Sequence, residues 1–130
     1  MGLYNFKPQF VGAILSGQKT HTIRALRHHP DSPGNTMHLY TGLRRKGARL
    51  LGRMECAQVE TITIREESSV SFLGATGRRF EVKINGEKLA ADECEQLARR
   101  DGFSGFHEMM DFWDGRLPFC GQIIHWRHPR

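Results

Sequence analysis

The sequence predicts an α+β fold built on a small mixed β-barrel of five to six strands, with one N-terminal helix and two later ones. Three observations lead there. Strand-like runs follow one another through the middle of the chain without alternating with helices, which argues against a doubly wound parallel sheet. Fourteen glycines in 130 residues mark many turns, as strand-rich folds require. Apolar residues recur at helical spacing only before residue 17 and after residue 89. The length suits one hydrophobic core, so residues 1–130 read as a single domain.

From Pro8 to Ser16, Phe10, Val11, Ile14 and Leu15 recur at helical spacing, and Gly17 supplies the C-terminal stop. Thr20, Thr22 and Ile23 then favour extended backbone as far as Arg24. Pro30, Asp31, Ser32, Pro33, Gly34 and Asn35 break the chain into a loop. Met37, Leu39 and Thr41 alternate with His38 and Tyr40 in the next strand, which ends at Gly42. The basic loop 43–49 leads into a long extended region from Leu50 to Arg65, where Val59, Thr61, Ile62, Thr63 and Ile64 are strong strand formers. Phe80, Val82 and Ile84 alternate with Glu81 and Lys83 up to Asn85-Gly86, the strongest short-range signal for a type I′ hairpin. Residues 90–100 are predicted helical, with Leu89, Leu97 and Ala98 as an apolar seam and Asp101-Gly102 as the stop. A second late helix starts around Ser104, a good N-cap, and turns Phe106, Met109, Met110 and Trp113 inward. Phe119, Ile123, Ile124 and Trp126 give a closing strand.

Nineteen Lys and Arg against 14 Asp and Glu leave a net charge of +5. The cations are grouped: Arg24, Arg27, His28 and His29; Arg44, Arg45, Lys46 and Arg49; Arg127, His128 and Arg130. Grouped positive charge attracts polyanions, so RNA (single-stranded RNA included), DNA or a nucleotide is the expected partner. No apolar run approaches the ~20 residues of a membrane span, and the N-terminus lacks a signal peptide's apolar region. Cys56, Cys94 and Cys120 are odd in number and far apart, which points to reduced thiols in a cytoplasmic protein. Without a CxxC or a clustered ligand set, neither metal nor cofactor is expected.

The segment Gly17-Gln18-Lys19-Thr20-His21-Thr22-Ile23-Arg24 carries the most chemistry. A lysine becomes a base when its ammonium is poorly solvated or lies near another cation, and a threonine hydroxyl beside such a base becomes a nucleophile. On a regular strand, residues 19 and 22 face opposite sides. Cooperation therefore requires Lys19 to sit in the turn after Gly17, with the strand beginning near His21 and Thr20, Thr22 and Arg24 on one face. The Lys19 ammonium and the Thr22 hydroxyl are then expected within hydrogen-bond reach or one water apart, with His21 turned away from Thr22.

The order of these elements resembles the ASCH superfamily, a small barrel fold related to the PUA domain. The matching residues are Ser16-Gly17, the string Lys19-Thr20-His21-Thr22-Ile23-Arg24, the turn Pro33-Gly34, Leu39-Tyr40-Thr41-Gly42, Asp101-Gly102-Phe103, and the tail from Phe119 to Trp126. The resemblance covers nearly the whole chain and implies one of two activities. One is that of the bacterial N4-acetylcytidine amidohydrolases, metal-independent enzymes that use a Lys, a Thr and a Glu. Carried over by motif, these are Lys19, Thr22 and, in place of the glutamate, Asp101, with Glu95 and Glu93 as alternatives. The other is RNA binding, with or without ribonuclease activity. Thr20, Arg24, Tyr40, Arg45 and Lys46 are the candidate substrate-binding residues, with Tyr40 able to stack on a base and the basic loop able to neutralise phosphates.

Overall fold

The computed structural model describes residues 2–43, 46–67 and 79–129. Strand β1 (Gly2–Phe6) comes first and was not foreseen in the sequence. Its five residues alternate strictly, with Tyr4 and Phe6 buried and Leu3 and Asn5 outward. A 3₁₀ turn (Pro8–Phe10) leads into helix α1 (Val11–Ser16), which Gly17 ends with a positive φ of 83°. The remaining strands are β2 (His21–Ala25), β3 (Thr36–Thr41), β4 (Arg49–Glu67), β5 (Arg79–Ile84), β6 (Glu87–Lys88) and β7 (Phe119–Arg127). Two helices, α2 (Ala91–Arg100) and α3 (Phe106–Trp113), precede β7. Asn85 and Gly86 both take positive φ at the β5–β6 turn, as a type I′ hairpin demands.

The strands form one mixed sheet, seven in number among the described residues rather than five or six. β4 is its spine: Arg49–Glu55 pairs with β3, Glu55–Ile64 with β7, and Ile62–Glu67 with β5. β1 adds to β3 in parallel, and β2 adds antiparallel to β7. The expected barrel is a partly closed one, and the sheet is not closed into a barrel: β1 and β2 share no ladder. Two arginines bridge them instead. Arg24 Nη2 donates to the Asn5 carbonyl at 2.6 Å, and Arg27 Nη2 donates to the Leu3 carbonyl at 2.6 Å. The Arg27 guanidinium also stacks 3.8 Å from the Tyr4 ring centroid. Tyr4 itself is fully buried and donates to Asp31 Oδ2 at 2.5 Å, tying β1 to the loop before β3.

The core runs from the inner face of the sheet (Met37, Leu39, Ile62, Ile64, Val82, Ile123) to α2 and α3 (Leu97, Ala98, Met109, Met110, Trp113). Each Leu, Ile, Val and Met among them contributes about 1.5–3 kcal/mol on burial. α2 closes in a Schellman motif: Gly102 N donates to Arg99 O at 3.1 Å and Phe103 N to Ala98 O at 3.0 Å. Gly102 takes φ +100°, and Phe103 is buried against the helix it terminates. Ser104 lies just before α3, where both its N–H and its hydroxyl donate to Glu108 Oε2; the N-cap position itself falls on Gly105. No helix of the described residues is long and apolar enough to cross a membrane.

Gly121 pairs with Ala25 where β7 meets β2, and a Cβ there would come within 2.3 Å of the Arg24 carbonyl oxygen and 2.6 Å of the Phe119 ring. The carbonyl is backbone and cannot swing aside. Gly121→Ala is expected to destabilise the fold by about 1–3 kcal/mol, the usual cost of overpacking. Urea unfolding checks this through the midpoint, and an unchanged midpoint would show that β2 can slide on β7.

Candidate active site

Lys19 sits in the turn after Gly17, and β2 begins at His21, as the sequence requires for Lys19 and Thr22 to face one space. Lys19 N donates to the Ala13 carbonyl at 2.9 Å, which folds the chain back under α1 and aims the lysine inward. The side chain is 97% buried by that turn, with only 3% of its surface exposed. Its Nζ reaches the last turn of α2, donating to the Asp101 carbonyl at 2.7 Å and to Asp101 Oδ1 at 2.5 Å. Two forces favour a cation there. One is the carboxylate, and the other is the negative end of a helix with orphan carbonyls. The rings of Phe10 and Phe6 flank the ammonium at 5.1 Å and 6.0 Å.

Lys19, Thr22, Arg24 and Asp101 line one cleft of about 240 Å³. Its walls are aromatic (Phe6, Phe10, Phe112 and Trp113), and Lys7 and Arg116 complete its charged lining. The Lys19 amine is bonded to Asp101, with no hydrogen bond to Thr22. The Thr22 oxygen instead accepts from Arg24 Nε at 2.9 Å. The indole N–H of Trp113 is buried without a hydrogen-bond partner among the described residues.

Burial pushes the Lys19 pKa below the ordinary lysine value of 10.5, and the Arg24 charge pushes the same way, while Asp101 opposes them. Arg24 is itself lowered to about 10, mainly by burial and then by Arg27. His21 lies on the other face of β2, as expected, and borders a second cavity of about 500 Å³ with Glu60 and His125. It nevertheless reaches the site from behind. His21 Nε2 lies 3.1 Å from the same Asp101 Oδ1 that holds Lys19. The sequence offers His21 as an aid to Lys19 that strand alternation turns away from Thr22, and what links the two side chains is the position of Asp101 at the end of α2.

The other candidates lie elsewhere. Thr20 is exposed and does not line the cleft; its carbonyl accepts from Trp126 N at 2.9 Å. Tyr40 sits half-buried on β3 between inward-facing residues, opposite Asn5, and is also absent from the cleft lining. Lys46 is exposed in the turn before β4. Arg45, like Arg44 and Arg130, lies outside the described residues. Glu95 and Glu93 face α3 and the start of α2, where Glu95 accepts from Phe106 N and Glu93 from Ala90 N. Among the described residues no cluster of His, Cys, Asp or Glu could hold a metal ion. No family model, curated protein or solved structure matches the chain.

The buried His21 has a stability signature. Burial, its first cause, lowers its pKa below the unfolded value of 6.5, against a smaller upward pull from Asp101. Below that pH the unfolded chain binds a proton that the folded chain does not, so the folded state loses stability as pH falls from 6.5. In His21→Gln the loss of unfolding free energy between pH 7.5 and pH 5 is expected to shrink relative to the parent protein. Equal losses in chemical denaturation at the two pH values would show that His21 titrates normally.

Proposed function

We propose that this chain is an ASCH-like domain with a PUA-related sheet, and a metal-independent amidohydrolase of N4-acylated cytidine or a closely related modified nucleoside. The observation that carries the reading is the buried Lys19 sharing one aromatic-walled cleft with the Thr22 hydroxyl. A neutral lysine amine has two N–H donors and one lone pair. The two donors match the Asp101 carbonyl and Oδ1, which leaves the lone pair for a proton from the cleft.

In this reading a planar acylated base enters between the aromatic walls. The Thr22 oxygen attacks the acyl carbonyl while its proton passes to Lys19 Nζ. Arg24, already donating to that oxygen, stabilises the negative charge that develops on it. The C–N4 bond then breaks, and Lys19 returns the proton to the departing exocyclic nitrogen. Water, deprotonated by the same amine, releases the acyl group from Thr22 and restores the hydroxyl. Asp101 is bonded to Lys19 rather than free for the leaving nitrogen, so its role is to hold the amine and set its proton affinity. The RNA-binding alternative rested on Tyr40 and the loop 43–49, and neither Tyr40 nor Lys46 lines the cleft.

Incubation with N4-acetylcytidine is expected to release cytidine and acetate at an undiminished rate in the presence of chelator. Lys19→Met and Thr22→Ala should each lower kcat/KM by at least ~10²-fold, the usual contribution of a positioned base or its nucleophile. The rate should rise with pH as Lys19 loses its proton, in a range below that of an ordinary lysine. A folded protein that leaves N4-acylcytidines intact over hours would refute the assignment.

A further inference from the structure

The cleft holds far more positive charge than hydrolysis of a neutral nucleoside needs. Lys7, Lys19, Arg24 and Arg116 line it, against Asp101 as its one acid among the described residues. Lys19 and Asp101 neutralise each other, so three cations remain. Arg24 is committed to Thr22 and to the Asn5 carbonyl. Lys7 and Arg116 are not committed to any carboxylate among the described residues, and both are exposed. They come from opposite ends of the chain and converge on one ring: Lys7 Nζ lies 4.8 Å and the Arg116 guanidinium 4.7 Å from the Phe112 centroid. Phe112 packs edge-on against Phe10, whose ring also faces Lys19. One wall of aromatic rings therefore runs from the buried amine to a pair of solvent-facing cations.

Size points the same way. At about 240 Å³ the cleft falls below the ~300–1,000 Å³ of pockets that engulf a drug-sized ligand. It can enclose a base and its acyl group, with the sugar left at the mouth. A group attached to that sugar then meets Lys7 and Arg116, and the group that a lysine and an arginine recognise together is a phosphate.

We propose that Lys7 and Arg116 form a phosphate subsite at the mouth of the cleft, so that the substrate is a nucleotide, an N4-acylated cytidine carrying a phosphate, rather than the free nucleoside. This rests on the amidohydrolase reading for the base but not for the phosphate, and the two can fail separately.

The experiment compares N4-acetylcytidine with its 5′-monophosphate and with a trinucleotide carrying N4-acetylcytidine at its centre, at low and at 0.3 M salt. The wild-type kcat/KM for the monophosphate is expected to exceed that for the nucleoside by ~10-fold or more at low salt and to approach it as salt screens the contacts. A further gain for the trinucleotide assigns the subsite to strand phosphates, and no gain assigns it to the mononucleotide. The ratio of monophosphate to nucleoside should collapse towards one in Lys7→Ala, in Arg116→Ala and in Lys7→Glu, each checked for folding by circular dichroism. Equal kcat/KM for nucleoside and monophosphate overturns the subsite while leaving the amidohydrolase intact. If no compound is hydrolysed, calorimetric titration of cytidine against cytidine 5′-monophosphate decides. Tighter, salt-sensitive binding of the monophosphate that is lost in the three variants upholds the subsite without the amidohydrolase, and equal binding overturns both.

Discussion

The contact on which the site depends is the buried pairing of Lys19 with Asp101, 82 residues away in the chain. Removing two charges from water costs several kcal/mol per ion, and the interior tolerates this only where hydrogen bonds replace the lost hydration. Both ends of the pair are built for that. Gly17 turns the chain with a φ that a side chain resists, which places Lys19 beneath α1. Gly102 does the same at the end of α2, where the Schellman closure leaves the Asp101 carbonyl free for the amine. A Cβ at Gly102 would also press within 3.0 Å of the Phe10 ring that flanks Lys19. The motif residues around positions 17 and 102 thus serve a single contact.

The gap in the sheet and the cleft are the same feature seen twice. β1 and β2 would be neighbours in a closed barrel, and a ladder between them would consume the Asn5 carbonyl and the backbone around Arg24. Because the ladder is absent, the Arg24 side chain bonds that carbonyl and still reaches the Thr22 oxygen. Asn5, Phe6 and Arg24 accordingly line the cleft from its strand side. Closing the sheet by backbone pairing would remove the strand-side opening of the cleft. The arginine bridges hold the two edges together and leave room between them.

Much of this was legible in the sequence, and the exceptions share a cause. The helical spacing before Gly17, the Asn85-Gly86 turn and the seam of α2 are local patterns, and the structure reproduces them. β1 escaped notice because Gly2–Phe6 is only five residues long, with Asn5 as the single polar position to mark its alternation. Strand count and closure depend on which edges meet, and no local pattern specifies that. Within the site, the turn position of Lys19 followed from the period of a strand, since residues 19 and 22 could not otherwise share a face. The bonding of Lys19 to Asp101 in place of Thr22 could not be read in the same way, because the end of α2 arrives from the far part of the chain. Tyr40, whose strand position was equally local, lies away from the cleft. Its chemistry suits a nucleobase, but inward Leu39 beside it turns Tyr40 to the outer face.

One carboxylate oxygen faces two bases, and this decides how the site handles protons. Asp101 Oδ1 lies 2.5 Å from Lys19 Nζ and 3.1 Å from His21 Nε2. A single negative charge can balance one cation in a buried space, and a second cation there meets repulsion with little solvent to screen it. While Lys19 is an ammonium, His21 is held neutral, and Lys19 lowers the pKa of His21 for that reason in addition to burial. Once Lys19 gives up its proton, the carboxylate is free to support a charged His21. The two bases therefore titrate as a coupled pair, and a pH profile of the site belongs to the Lys19–Asp101–His21 cluster rather than to Lys19 alone. His21 borders the second cavity beside His125, which is bonded to Glu60 at 2.6 Å. Lys19 and Asp101 are thus coupled to a side chain on the opposite side of β2 that does not line the cleft.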